Sequence, residues 1–178
     1  EVSPDTTGTI GGTVPVPPVG GSEINVVAEE AAEEFGVDKE DLLAIFAIES
    51  TSGTDLINPK SSARGPGQIL KGTAKSLALK KEFKGITAEQ IQNNLLQGAR
   101  GTAWLLKDAL KRYKNVGKDQ KLFAFADQYV GATEIKKAIR LSKNKTNWAE
   151  VSKHISKEWR KDTQDFVTKV LKKIKRGR

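Results

Sequence analysis

An unbroken apolar run, Leu-Leu-Ala-Ile-Phe-Ala-Ile at 42–48, stands between Asp38 and Glu49. Asp38 is a good helix N-cap, and nothing in the run breaks a helix. A helix that is apolar on every side belongs inside a core. This requirement places one element at the centre of the fold and puts Glu49 at its end.

Other segments show a single apolar face. Ile24, Val27, Ala28, Ala31, Ala32 and Phe35 recur at helical spacing, with Ser22 as a cap and Gly36 as a left-handed stop. Residues 72–79 read as a short helix. Thr87 with Gln90 forms a capping-box pattern. It is expected to open one long helix through Ile91, Leu95, Ala99, Ala103, Leu106, Leu110 and Tyr113, closed by Gly117. Residues 122–130 and 134–142 give two more helices. Trp148, Val151, Ile155 and Trp159 line one helical face, with Lys153, Lys157, Arg160 and Lys161 opposite. Phe166, Val167, Val170, Leu171 and Ile174 carry the pattern to a basic end. Between 50 and 72, Gly53, Asn58-Pro59, Gly65-Pro66-Gly67 and Gly72 interrupt any regular element, leaving a long central loop with room for a small hairpin. The fold class expected is α+β, predominantly α. Residues 1–22, rich in Thr, Gly and Pro, read as a flexible linker. Residues 23–140 read as the main domain, and 141–178 as a basic amphipathic helical extension packed on it.

Composition removes several chemistries. The chain has no Cys and one His, His154. Disulfides, thiol catalysis and Cys-ligated zinc are excluded, and neither a Ser-His-Asp triad nor a His metal cluster is expected. No apolar run approaches the roughly 18 residues of a membrane-spanning helix. Met is absent even at position 1, which points to a piece of a longer product. His154 is expected in solvent, and Trp104, Trp148 and Trp159 in the core.

Charge is divided along the chain. Residues 1–50 hold eleven acids and one base; the remainder holds eleven acids and 29 bases. Such a basic body suits an anionic partner: a wall polymer, an anionic membrane surface or nucleic acid. Residues 141–178, with twelve bases and four acids, leave a polyanion-binding reading open beside an enzymatic one.

Glu49 carries the chemical argument. A carboxyl at the edge of an apolar core resists ionisation, and a carboxylic acid that keeps its proton near neutral pH can serve as a general acid. The loop behind it strengthens this reading. Ala47-Ile48-Glu49-Ser50-Thr51-Ser52-Gly53, then Asn58-Pro59-Lys60-Ser61-Ser62-Ala63-Arg64-Gly65-Pro66-Gly67-Gln68-Ile69, resembles the signature of the Slt-type lytic transglycosylases. These are lysozyme-like enzymes that cut peptidoglycan. The Ser-Ser-Ala-x-Gly-x-x-Gln-Ile run is similar to bacteriophage members in particular. Two later blocks, Asn94-Leu95-Leu96-Gln97-Gly98-Ala99-Arg100-Gly101-Thr102-Ala103-Trp104 and Phe125-Ala126-Asp127-Gln128-Tyr129-Val130-Gly131-Ala132, follow in the family's order. Gly67 stands where the family usually has Met.

The resemblance implies a lysozyme-like fold of the goose-lysozyme and Slt type. It implies Glu49 as the single catalytic acid, with no metal and no cofactor. Substrate contacts would come from Ser62, Gly65, Gln68, Gln128 and Tyr129, and Ser61, Ser62 or Asn58 would contact the catalytic carboxyl. The implied reaction cleaves the MurNAc-(β1,4)-GlcNAc bond and closes a 1,6-anhydro ring on MurNAc, so it is a lyase reaction. It would serve a virion-associated protein, beside other virion proteins, breaching the wall during infection; a secreted or periplasmic bacterial enzyme is the alternative. If Asp55 or Asp127 lay across the cleft and held a water, goose-type hydrolysis would follow instead.

Overall fold

The computed structural model describes residues 21–176. The expected linker at 1–22 lies outside these except for Gly21 and Ser22, which already belong to the first helix. That helix, α1, spans Gly21–Phe35, so Ser22 sits inside it rather than capping it. Its buried face is Ile24, Ala28, Ala31, Ala32 and Phe35, and Gly36 ends it at φ +67°. The apolar run forms α2, Lys39–Glu49, with Leu42, Ile45 and Phe46 fully buried. Asp38 holds the N-cap position without a side-chain cap bond. Its carboxylate is paired with Lys121 instead, and the same ammonium lies 2.7 Å from buried Asp41.

Two short helices follow the loop: α3, Lys71–Ala78, and α4, Ala88–Asn93. Thr87 and Gln90 form the expected capping box on α4. The long helix expected beyond it is two helices. Asn94 adopts an extended conformation at φ −99° and ψ 129°, and its side chain accepts from the Gln97 amide to start α5, Leu95–Arg112. The apolar period runs through this break unaltered. An Asn side chain offers the backbone a cap in place of a helical turn, and here the cap prevails.

α5 also receives the central loop. A Cβ on Gly98 would lie 2.8 Å from the Pro66 ring, and one on Gly101 would lie 2.7 Å from Ile69. The loop thus sits directly on the helix backbone at these two positions. Within the loop, Ile57 bridges Arg64 and Arg64 bridges Ile69; among the described residues these isolated antiparallel bridges are the only extended pairing.

The remaining helices are α6, Gln120–Val130; α7, Ala132–Leu141; α8, Trp148–Val151; and α9, Lys157–Arg176. Phe123, Ala124, Phe125 and Ala126 on α6 are all fully buried. The helix expected to run from Trp148 to Trp159 is broken at Ile155, where ψ is 140°. Glu134 on α7 accepts from both the Ser156 amide and hydroxyl at 2.6 Å, which fixes the turn into α9. As a result Trp159 is 48% exposed rather than buried. Trp148 packs edge-on against Phe123, and Trp104 is half-buried under the Lys80 ammonium. His154 is half-buried rather than fully solvated.

α9 packs on both α2 and α6. Burial of Phe166, Val167 and Val170, each worth about 1.5–3 kcal/mol, anchors it there. No helix among the described residues is long and apolar enough to cross a membrane.

Candidate active site

Glu49 ends α2, and the chain reverses at once. Ser50, fully buried, caps the helix: its amide and its hydroxyl both donate to the Phe46 carbonyl at 3.0 Å. The Ser50 hydroxyl accepts from the Gly53 amide in turn. Thr51, Ser52 and Gly53 all have positive φ, at 51°, 57° and 87°. Two adjacent non-glycine residues in that region are unfavourable, and backbone strain of this kind concentrates at functional sites. The Ser52 amide donates to Phe46 and the Asp55 amide to Ser50, which hold the turn in place.

The Glu49 side chain is half-buried, and burial pushes its carboxyl from the ordinary 4.5 up to about 7. Desolvation is the cause, as expected for a carboxyl set against an apolar helix. The chain's many cations do not offset it. Glu49 opens onto a cavity of about 190 Å³ lined by Ile48, Tyr129, Asp162, Asp165, Phe166 and Lys169. Tyr129, 37% exposed, stacks on Phe166 at 5.1 Å between ring centroids. Its phenol is pushed up, first by desolvation and then by the negative charges of Asp162 and Glu49.

Of the residues expected to contact substrate, the structure places Tyr129 in this cavity. Gln128, half-buried on α6, does not line it. Gln68, at φ 49°, donates its amide nitrogen to the Asp55 and Gly65 carbonyls and so joins the two arms of the loop. Gly65, at φ +78°, donates its amide to Leu56. Ser62 does not line the Glu49 cavity. It accepts from the Lys71 amide and lines a crevice of about 520 Å³ with Arg64, Lys71, Lys75 and Gln92. Of its alternatives, Ser61 accepts from the Ala63 amide and Asn58 from the Lys60 amide.

The two acids considered as second carboxylates are engaged elsewhere. Asp55 accepts from the Thr51 hydroxyl at 2.6 Å. Asp127 accepts from Arg112 at 2.5 Å and from the Tyr113 hydroxyl at 2.6 Å, bracing α5 against α6. The Tyr113 phenol is pushed far up, by burial first and by Asp127 second. The carboxylates that do line the Glu49 cavity, Asp162 and Asp165, come from α9. The spacing of Asp162, Asp165, Phe166 and Lys169 puts them on one side of that helix, a signal the sequence carried without saying what the side would face.

A larger, mainly apolar depression of about 470 Å³ lies between α1 and the start of α5, lined by Val26, Val27, Leu95 and Leu96. It is remote from Glu49 in its lining, and its one acid, Glu23, is exposed. Chemistry rather than size therefore selects the Glu49 cavity. Among the described residues no cluster of three His or acidic side chains is suited to hold a metal.

The model of one protein family, described as the transglycosylase SLT domain, matches residues 26–151. No curated protein matches the chain.

Proposed function

This chain belongs to the transglycosylase SLT domain family, and on that premise we propose that it is a peptidoglycan lytic transglycosylase with Glu49 as its single catalytic acid. One observation carries the assignment of Glu49: a carboxyl at a strained helix end that burial holds near pKa 7. About half such groups keep their proton at neutral pH. In the proposed reaction Glu49 protonates the oxygen between MurNAc and GlcNAc, and the C1–O bond breaks. The MurNAc N-acetyl group steadies the cationic C1. Glu49, now a carboxylate, takes the proton of the C6 hydroxyl while O6 closes on C1. The carboxyl is thereby restored to its starting state, and no water is consumed.

The likeness of the run from Ser61 to Ile69 to bacteriophage sequences supports a virion-associated setting, with action at the bacterial wall. The basic body supports electrostatic capture of a wall polymer that carries peptide carboxylates.

A second reading is favoured by Asp162 and Asp165. A hydrolase needs a second carboxylate beside the acid, and these two share the Glu49 cavity. Mass spectrometry of digested, purified peptidoglycan separates the two. Fragments ending in 1,6-anhydro-MurNAc are expected. Reducing ends would establish hydrolysis, and the absence of any fragment would remove the enzymatic reading.

A further inference from the structure

The family match ends at residue 151, yet the cavity at Glu49 is completed by a helix beyond it. We propose that Phe166 is a positioning residue of this site: from α9 it holds the Tyr129 ring beside the Glu49 cavity and closes that wall to water. The proposal rests on the reading of Glu49 as the proton donor.

Three observations support it. The Phe166 and Tyr129 rings are stacked, 5.1 Å apart and 25° from parallel. Phe166 is 4% exposed while Tyr129 is 37% exposed, so the ring on α9 is the fixed partner and the ring on α6 leans on it. Both rings line the cavity with Glu49, and α9 is packed on α2 as well as on α6. A smaller side chain at 166 would free Tyr129 to move and admit water beside the carboxyl. The ionisable groups that line the cavity with Glu49 are Tyr129 from α6 and Asp162, Asp165 and Lys169 from α9. The three on α9 are exposed, and Phe166→Leu removes none of these charges. The change alters ring packing and solvent access without altering charge, and greater solvent access favours the carboxylate form of Glu49.

The test compares the full chain with Phe166→Leu, and with Phe166→Met as a second variant that also removes the ring but has a flexible, unbranched side chain, for which a shift in the same direction is expected. Two readouts are taken across pH 5–8.5: the initial rate on soluble peptidoglycan fragments, and the carboxyl carbon shift of Glu49 by nuclear magnetic resonance, assigned by its loss in Glu49→Gln. The midpoint of both is expected to fall by about one pH unit in Phe166→Leu. Its rate should then equal that of the unaltered chain at pH 5 and be about eightfold lower at pH 7.5. A purely structural role would lower the rate equally at every pH. An unchanged Glu49 midpoint in a folded variant overturns the proposal. If the carboxyl midpoint moves while no variant, nor the unaltered chain, cleaves peptidoglycan, then the inference about Phe166 stands and the transglycosylase reading fails.

Discussion

Glu49→Gln is expected to abolish release of soluble fragments from peptidoglycan, by about 10³–10⁴-fold, with the fold intact. The amide matches the carboxyl in shape but cannot give up a proton to the glycosidic oxygen. Loss of a general acid commonly lowers the rate by 10²–10⁴-fold. The upper part of that range is expected because the same group would act twice, first as acid and then as base. The variant should also be the more stable protein at neutral and alkaline pH. Unfolded, Glu49 titrates near 4.5; folded, near 7. Between those values the folded chain holds a proton that the unfolded chain has released, so its stability falls as pH rises through this window and levels off above it. Glu49→Gln lacks that slope. The two proteins should melt alike at pH 4, and at pH 8 the variant should gain up to about 3 kcal/mol, from two and a half pH units at 1.36 kcal/mol each. A variant that still cleared peptidoglycan would remove Glu49 from the mechanism.

The second large effect concerns the loop rather than the acid. A Cβ on Gly67 would stand 2.0 Å from the Thr102 hydroxyl and 2.8 Å from its methyl group. Thr102 is buried on α5 and bonded to the Gly98 carbonyl, so it has little freedom to move aside. Gly67 does not have a positive φ, and the steric overlap is therefore the whole penalty. Gly67→Ala is expected to destabilise the chain by about 3 kcal/mol, a fall in melting temperature of roughly 6–12 °C. Adding Thr102→Ala should recover part of the loss, since only the two Cβ atoms then remain close. Two single effects that simply add in the double variant would contradict this packing.

How much of this was legible beforehand depended on whether a feature was local. The apolar run at 42–48 forecast a buried α2, and with it the direction of the Glu49 shift, because both follow from the chain's own sequence. The capping box at Thr87 was legible for the same reason. The break at Asn94 was not, because Ile91 before it and Leu95, Ala99 and Ala103 after it keep the apolar period unbroken. Trp159 was expected in the core, and it came to the surface once Ser156 turned the chain toward Glu134. Asp162 and Asp165 were visible only as acids on a basic helix. What brings them to Glu49 is the docking of α9 across α2 and α6, a tertiary outcome that no local spacing encodes. Ser62 fits the loop pattern, yet the fold directs it toward α3.

The central claim is that a proton held by burial on Glu49 breaks the glycan strand. It is tested most directly by the initial rate of peptidoglycan solubilisation at low substrate, measured from pH 5 to 9. At low substrate the profile reports the free enzyme. The rate should hold a plateau on the acid side and fall tenfold per pH unit above a midpoint near 7, as Glu49 loses its proton. A rate that instead rises through pH 7 would mean that the carboxylate is the reactive form, and it would contradict the account.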